Sequence, residues 1–140
     1  MDRVLAAASA AFLVLGACPS AAAADGGQTV RTPQGVRCQL STDFQGRGYP
    51  AATCSRADGA PFGVSPASLN LAVVQATGEV YFVDGSVPGR DSDDVVLGVG
   101  QTYRANGWTV ETEELRTLIT YDIGGHGMRV NPVEVAAFWR

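Results

Sequence analysis

Lysine is missing from this chain: all ten basic residues are arginine. That excludes Schiff-base catalysis on a lysine and the phosphate-loop motif, which needs a lysine to reach the phosphates. Histidine occurs once, at His126, too sparsely for a histidine-built metal centre. Charged residues are only 17% of the chain, acids outnumber bases to give a net charge of −4, and no cluster of arginines is present. This balance excludes nucleic acid as a partner. No Gly-x-Ser-x-Gly elbow, repeat or coiled-coil pattern occurs, and no cofactor is implied. Glycine and proline, by contrast, are plentiful, at 17 and 7 of 140 residues. They favour turn-rich β-structure in a single domain over a helical bundle.

Residues 1–24 read as a signal peptide. Arg3 and the α-amino group make a positive start, and Val4 to Ala17 carries no charge. Pro19 then breaks the apolar segment, and Ala22-Ala23-Ala24 places small residues at the cleavage positions. A second reading uses the same segment. Leu15-Gly16-Ala17-Cys18 is similar to a bacterial lipobox, in which Cys18 is lipidated and becomes the mature N-terminus. The first reading gives a secreted protein starting near Asp25, the second a lipoprotein anchored at the cell envelope. Either leaves residues 25–140 as one exported domain without a further membrane-spanning segment. Both also keep Cys38 and Cys54, and a cysteine pair in an exported domain predicts one structural disulfide. The rival, a two-cysteine metal site, has no histidine nearby to complete it.

Along the mature chain, Val30 to Ser41 and Ala51 to Ser55 read as strands around the two cysteines, with residues 57–67 as loop. Leu69, Leu71 and Val73 alternate with Ser68, Asn70 and Ala72, and Glu79 to Val83 returns after Thr77-Gly78, which predicts a hairpin. Residues 84–94 are a long polar loop. The last third reads as a β-meander. Gln101–Ala105 turns through Asn106-Gly107, the strongest short hairpin signal, into Trp108–Thr112. Thr117–Asp122 and His126–Val130 follow. Asn131-Pro132 then has the form of a helix cap and first turn, so Val133 to Trp139 is expected to be a short terminal helix. The expected fold is mainly β: a compact antiparallel β-sandwich or partly open barrel with that meander and helix.

Several of these segments carry a resemblance. Thr32 to Cys38 (TPQGVRC), Leu69 to Val74 (LNLAVV), Asp94 to Tyr103 (DVVLGVGQTY), Asn106 to Val110 (NGWTV) and Gly125 to Met128 (GHGM) span nearly the whole mature chain in order. On them the chain resembles small exported proteins and lipoproteins of mycobacteria and related actinobacteria, a family without an established activity. The resemblance implies a compact, exported, β-rich domain and transfers no catalytic residue. It also implies that Val110 and Ile119 stand where relatives have a second cysteine pair, so that their face is core.

Three sets of residues carry candidate chemistry. His126, between glycines, is the weak candidate for a general base; its strand parity with Met128 and Val130 points instead to a hydrogen-bonded structural histidine. Asp91, Asp93 and Asp94 are weak candidates for a cation site, although Val95 stands where a calcium loop needs oxygen. Tyr81, Phe82, Tyr103, Trp108, Tyr121 and Trp139 are core aromatics at strand spacing, some of which could line a groove for a glycan or lipid. The expected function is a non-enzymatic binding or interaction domain, in the envelope or outside the cell, whose partner is an envelope component or another exported protein. The alternative is a small secreted hydrolase that uses His126 with an acidic partner.

Overall fold

A computed structural model describes residues 27–140; the signal-peptide and Cys18 readings lie outside the described residues. The chain forms strands β1 (Gln28–Arg31), β2 (Val36–Ser41), β3 (Ala51–Arg56), β4 (Leu71–Gln75), β5 (Val80–Val83), β6 (Val95–Val96), β7 (Thr102–Ala105), β8 (Trp108–Thr112), β9 (Thr117–Tyr121), β10 (His126–Val130) and β11 (Val135–Trp139). They make two sheets: one with the order β5-β4-β3-β2-β1-β6, the other β11-β10-β9-β8-β7. All neighbours are antiparallel except β1 and β6, which run parallel. The two sheets share one apolar core, to which the first contributes Val30, Cys38, Leu40, Ala52, Cys54, Ala72 and Val74. The second contributes Trp108, Val110, Ile119, Met128 and Val130. The chain is mainly β, in two sheets that do not close into a barrel.

Cys38 and Cys54 stand directly opposite each other on β2 and β3 and are joined in a disulfide inside this core. On the facing sheet Val110 is paired with Ile119 and Trp108 with Tyr121, and the Val–Ile pair is fully buried. Asn106 and Gly107 have φ of 55° and 83°, the two positive values that this tight turn needs. Asn106 then donates from Nδ2 to the Leu40 carbonyl at 2.9 Å, and Trp108 donates from Nε1 to the Ser41 carbonyl at 3.1 Å. These two bonds pin the tip of the meander onto the first sheet.

Three expectations are corrected. Val30–Ser41 is not one strand, because Thr32-Pro33-Gln34-Gly35 folds into a turn in which the Thr32 N–H donates to the Val36 carbonyl at 2.8 Å. On β4 both faces are buried: Ala72 and Val74 face the shared core, while Val73 packs in a second cluster with Phe44 and Ala51. The small Ala72 stands opposite Cys54 of the disulfide. The terminal helix is the largest correction, since Val135–Trp139 is a strand paired along its length with β10. Asn131 does accept the N–H groups of Val133 and Glu134 at 2.9 and 2.8 Å, as a helix cap would. The same bonds make an Asx turn, and the Asn131 N–H closes it on the Glu134 carbonyl at 2.9 Å. Valine and two aromatics then favour the pleated surface over a helix.

Candidate functional site

The outward face of the meander holds a polar depression. Because side chains alternate along a strand, the core pairing of Trp108, Val110, Ile119 and Tyr121 sends Thr109, Glu111 and Thr120 outward. Register then sets a row across three strands: Arg104 opposite Thr109, and Thr109 opposite Thr120. Glu111, Asp122, Gly125 and Arg140 complete a shallow basin of about 190 Å³, to whose wall Tyr121 also contributes. That is smaller than the pockets that enclose drug-sized ligands, so it fits one small molecule or a single group of a larger one.

Polar partners within the basin are unevenly used. The Thr109 hydroxyl donates to Asp122, and the Arg140 guanidinium pairs with Glu111. Thr120 is only 4% exposed, and its hydroxyl has no hydrogen-bond partner among the described residues. Arg104 forms no ion pair there either. A buried hydroxyl without a protein partner is met by an ordered water or by a ligand. The basin thus presents an unpaired cation and an unpartnered hydroxyl beside two carboxylates.

His126 lies outside this lining. Its ring stacks on Trp139, with centroids 5.2 Å apart and planes 9° from parallel. Gly78, at the turn between β4 and β5, also lies against the ring; a Cβ there would lie 2.7 Å from the His126 Nδ1. The ring is half-buried. It makes no hydrogen bond to the described residues, so stacking and close packing hold it in place of the expected hydrogen bond. No carboxylate is bonded to it, and the base–acid pair of the hydrolase reading is not assembled.

The acidic loop is used differently from a cation site. The Asp94 carboxylate is fully buried and takes Arg37 Nε at 2.8 Å and Arg31 Nη2 at 3.4 Å. Asp91 stands 3.4 Å from both arginines, and Asp93 pairs with Arg90 at 3.6 Å. Arg37 also donates to the carbonyls of Val87 and Pro88 at 2.8 and 3.2 Å. Its hydrogen bond to Asp94 raises its pKa against the opposing effect of burial. Three carboxylates that suggested a ligand set are thus matched by three guanidiniums. The partners were invisible in sequence because Arg31 and Arg37 lie far upstream. No group of acidic, histidine or cysteine side chains arranged to hold a metal occurs among the described residues.

The aromatic candidates do not converge. Trp108 is fully buried and meets Tyr121 edge-on at 4.9 Å, Phe82 and Tyr103 pack against the shared core, and Tyr81 joins the second cluster. Burial pushes the Tyr103 phenol above its ordinary pKa. Trp139 stands apart, 73% exposed. The basin itself was missed in sequence: its residues alternate with the core residues of the meander, and period alone does not distinguish a binding face from a wetted one.

No family model, curated protein or solved structure matches this chain.

Proposed function

We propose that this chain is a non-enzymatic binding domain, exported by the signal of residues 1–24 and built on a disulfide-braced β-sandwich, which recognises a small acidic group in the basin of the meander. The observation that carries this reading is the buried, unpartnered Thr120 hydroxyl in the same basin as the unpaired Arg104, across the intervening strand β8. Between them they offer a hydrogen-bond donor and a guanidinium to one small carboxylate or phosphate group. Asp122 and Glu111 are placed to accept from hydroxyl or ammonium groups on the same ligand. The disulfide is consistent with an oxidising, extracellular location, and the resemblance to small exported actinobacterial proteins supports an envelope or extracellular partner. Release near Asp25 and anchoring at Cys18 both present the same face to the outside.

The test is a titration of the secreted protein with acetate and inorganic phosphate, followed by backbone amide shifts. Saturable shifts at Thr109, Thr120 and Asp122 are expected. Thr120→Val and Arg104→Ala should each weaken binding by roughly tenfold or more, as losing a hydrogen bond to a charged group does. His126→Ala should leave it unchanged. Shifts that do not saturate, or that centre on His126, would refute the assignment.

A further inference from the structure

The last strand, β11, has one side without a partner. Among the described residues it is hydrogen-bonded only to β10. Its sequence, Val-Ala-Ala-Phe-Trp, contains neither the charge nor the proline that usually protects an open edge. The Arg140 N–H and the Glu134 carbonyl both turn inward, to Gly125 and Asn131. By alternation, Val135, Ala137 and Trp139 turn their N–H and C=O groups to the open side. The Val133 carbonyl, of the same parity, is already taken by the Val64 N–H at 2.9 Å. The open stretch therefore begins at Val135.

We infer that this edge pairs with the same edge of a second copy of the chain, antiparallel about a two-fold axis at Ala137. In that register Ala137 meets Ala137, Val135 meets Trp139, and Ala136 meets Phe138 of the other copy. All the outward N–H and C=O groups of the stretch are satisfied. The charges at its ends point to a copy of this chain as the occupant. Glu134 and Arg140 are equally far from Ala137, on the same face and opposite in sign, so each Glu134 falls opposite the Arg140 of the second copy. They do so at positions that make no backbone bond across the new edge, where facing side chains come closest. Glu134 has no ion-pair partner among the described residues, and Arg140, which pairs with Glu111 within its own copy, is shared between Glu111 and the Glu134 of the second copy. Slipping the register by two residues loses both contacts. The alanines leave room for Phe138 and Trp139, and Val135 of the second copy comes beside the exposed indole. Two five-stranded sheets become one continuous sheet, with both basins on the same face because the axis runs perpendicular to it.

Sedimentation of the secreted protein over a range of concentrations tests this. A monomer–dimer equilibrium that stops at the dimer is expected, since a two-fold contact closes on itself. Ala137→Pro, which removes an outward N–H and leaves the pairing with β10 intact, should abolish the dimer. Glu134→Arg should raise its dissociation constant about tenfold by setting like charges opposite each other twice. Adding Arg140→Glu to Glu134→Arg should restore it, a rescue that a merely structural role of either residue does not give. A protein that stays monomeric at millimolar concentration, assembles without limit, or dimerises equally well with both single substitutions overturns the inference.

Discussion

Replacing Asp94 by alanine isolates the ion cluster that ties residues 84–94 to the first sheet. Its side chain is fully buried, with Arg37 Nε at 2.8 Å and Arg31 Nη2 at 3.4 Å, and the Arg37 side chain is only 8% exposed. Removing one partner of a buried pair strands the other charge and typically costs about 3–5 kcal/mol. Two features hold the cost to the lower end. Arg37 keeps the carbonyls of Val87 and Pro88, and the exposed Asp91 stays 3.4 Å away. A loss of about 3 kcal/mol lowers the melting midpoint of a domain of this size by roughly 10–15 °C. Thermal and urea unfolding of the protein, followed by circular dichroism, measures it. Removing both charges, as Arg37→Met with Asp94→Leu, should cost clearly less than the two single losses added together, because no charge is left stranded. Amide exchange of residues 84–94 should rise in Asp94→Ala and in few other places. If Asp94→Ala melts within about 1 kcal/mol of the parent, the buried pair is not what anchors this segment and the reasoning fails.

Three further outcomes follow from the same geometry. Reducing the disulfide, which joins residues 16 apart in sequence, should cost roughly 3 kcal/mol in urea unfolding; an unchanged midpoint would mean that the core holds β2 and β3 together without it. His126→Ala should cost only about 1 kcal/mol, the scale of a lost ring stack, because no buried hydrogen bond goes with it; a much larger drop in melting temperature would contradict the stacking assignment. Burial raises the Tyr103 phenol above its ordinary pKa of 10.0. Its contribution to stability is therefore complete below that value and is lost as pH climbs through the higher folded value. Unfolding titrations across this alkaline range should show a decline that Tyr103→Phe reduces.

The meander was readable because local chemistry and pattern agree there. Asn106-Gly107 needs positive φ twice, and Trp108 to Thr112 and Thr117 to Tyr121 carry their core residues at strict alternation. The terminal strand was misread for a physical reason: Asn131 followed by proline makes the same side-chain bond in an Asx turn as in a helix cap. Only the neighbouring strand, with its open backbone groups, selects between the two. Val95–Val96 could not be read at all, since two residues have no period and their partner, β1, lies far upstream. The roles of Asp94 and Thr120 share that limit. One depends on arginines distant in sequence, the other on what covers an outward face, and neither is a property of the neighbouring residues.

The strand order also bears on how the chain reaches this fold. Within each sheet nearly every strand lies beside the strand before or after it in sequence, so most pairings close short loops and are quick to form. The parallel contact between β1 and β6, the bonds from Asn106 and Trp108 to the first sheet, and the bonds from Gly63 and Val64 to Pro132 and Val133 join distant parts of the chain. The β2–β3 hairpin carrying the cysteines belongs to the local set. Oxidation is therefore expected to precede docking of the two sheets, so that a chain folding in an oxidising medium acquires its crosslink before its core. Refolding of the oxidised and reduced chains of a Trp139→Phe variant, followed by Trp108 fluorescence, separates these events. The crosslinked chain should dock its sheets faster, because one of its hairpins is already closed.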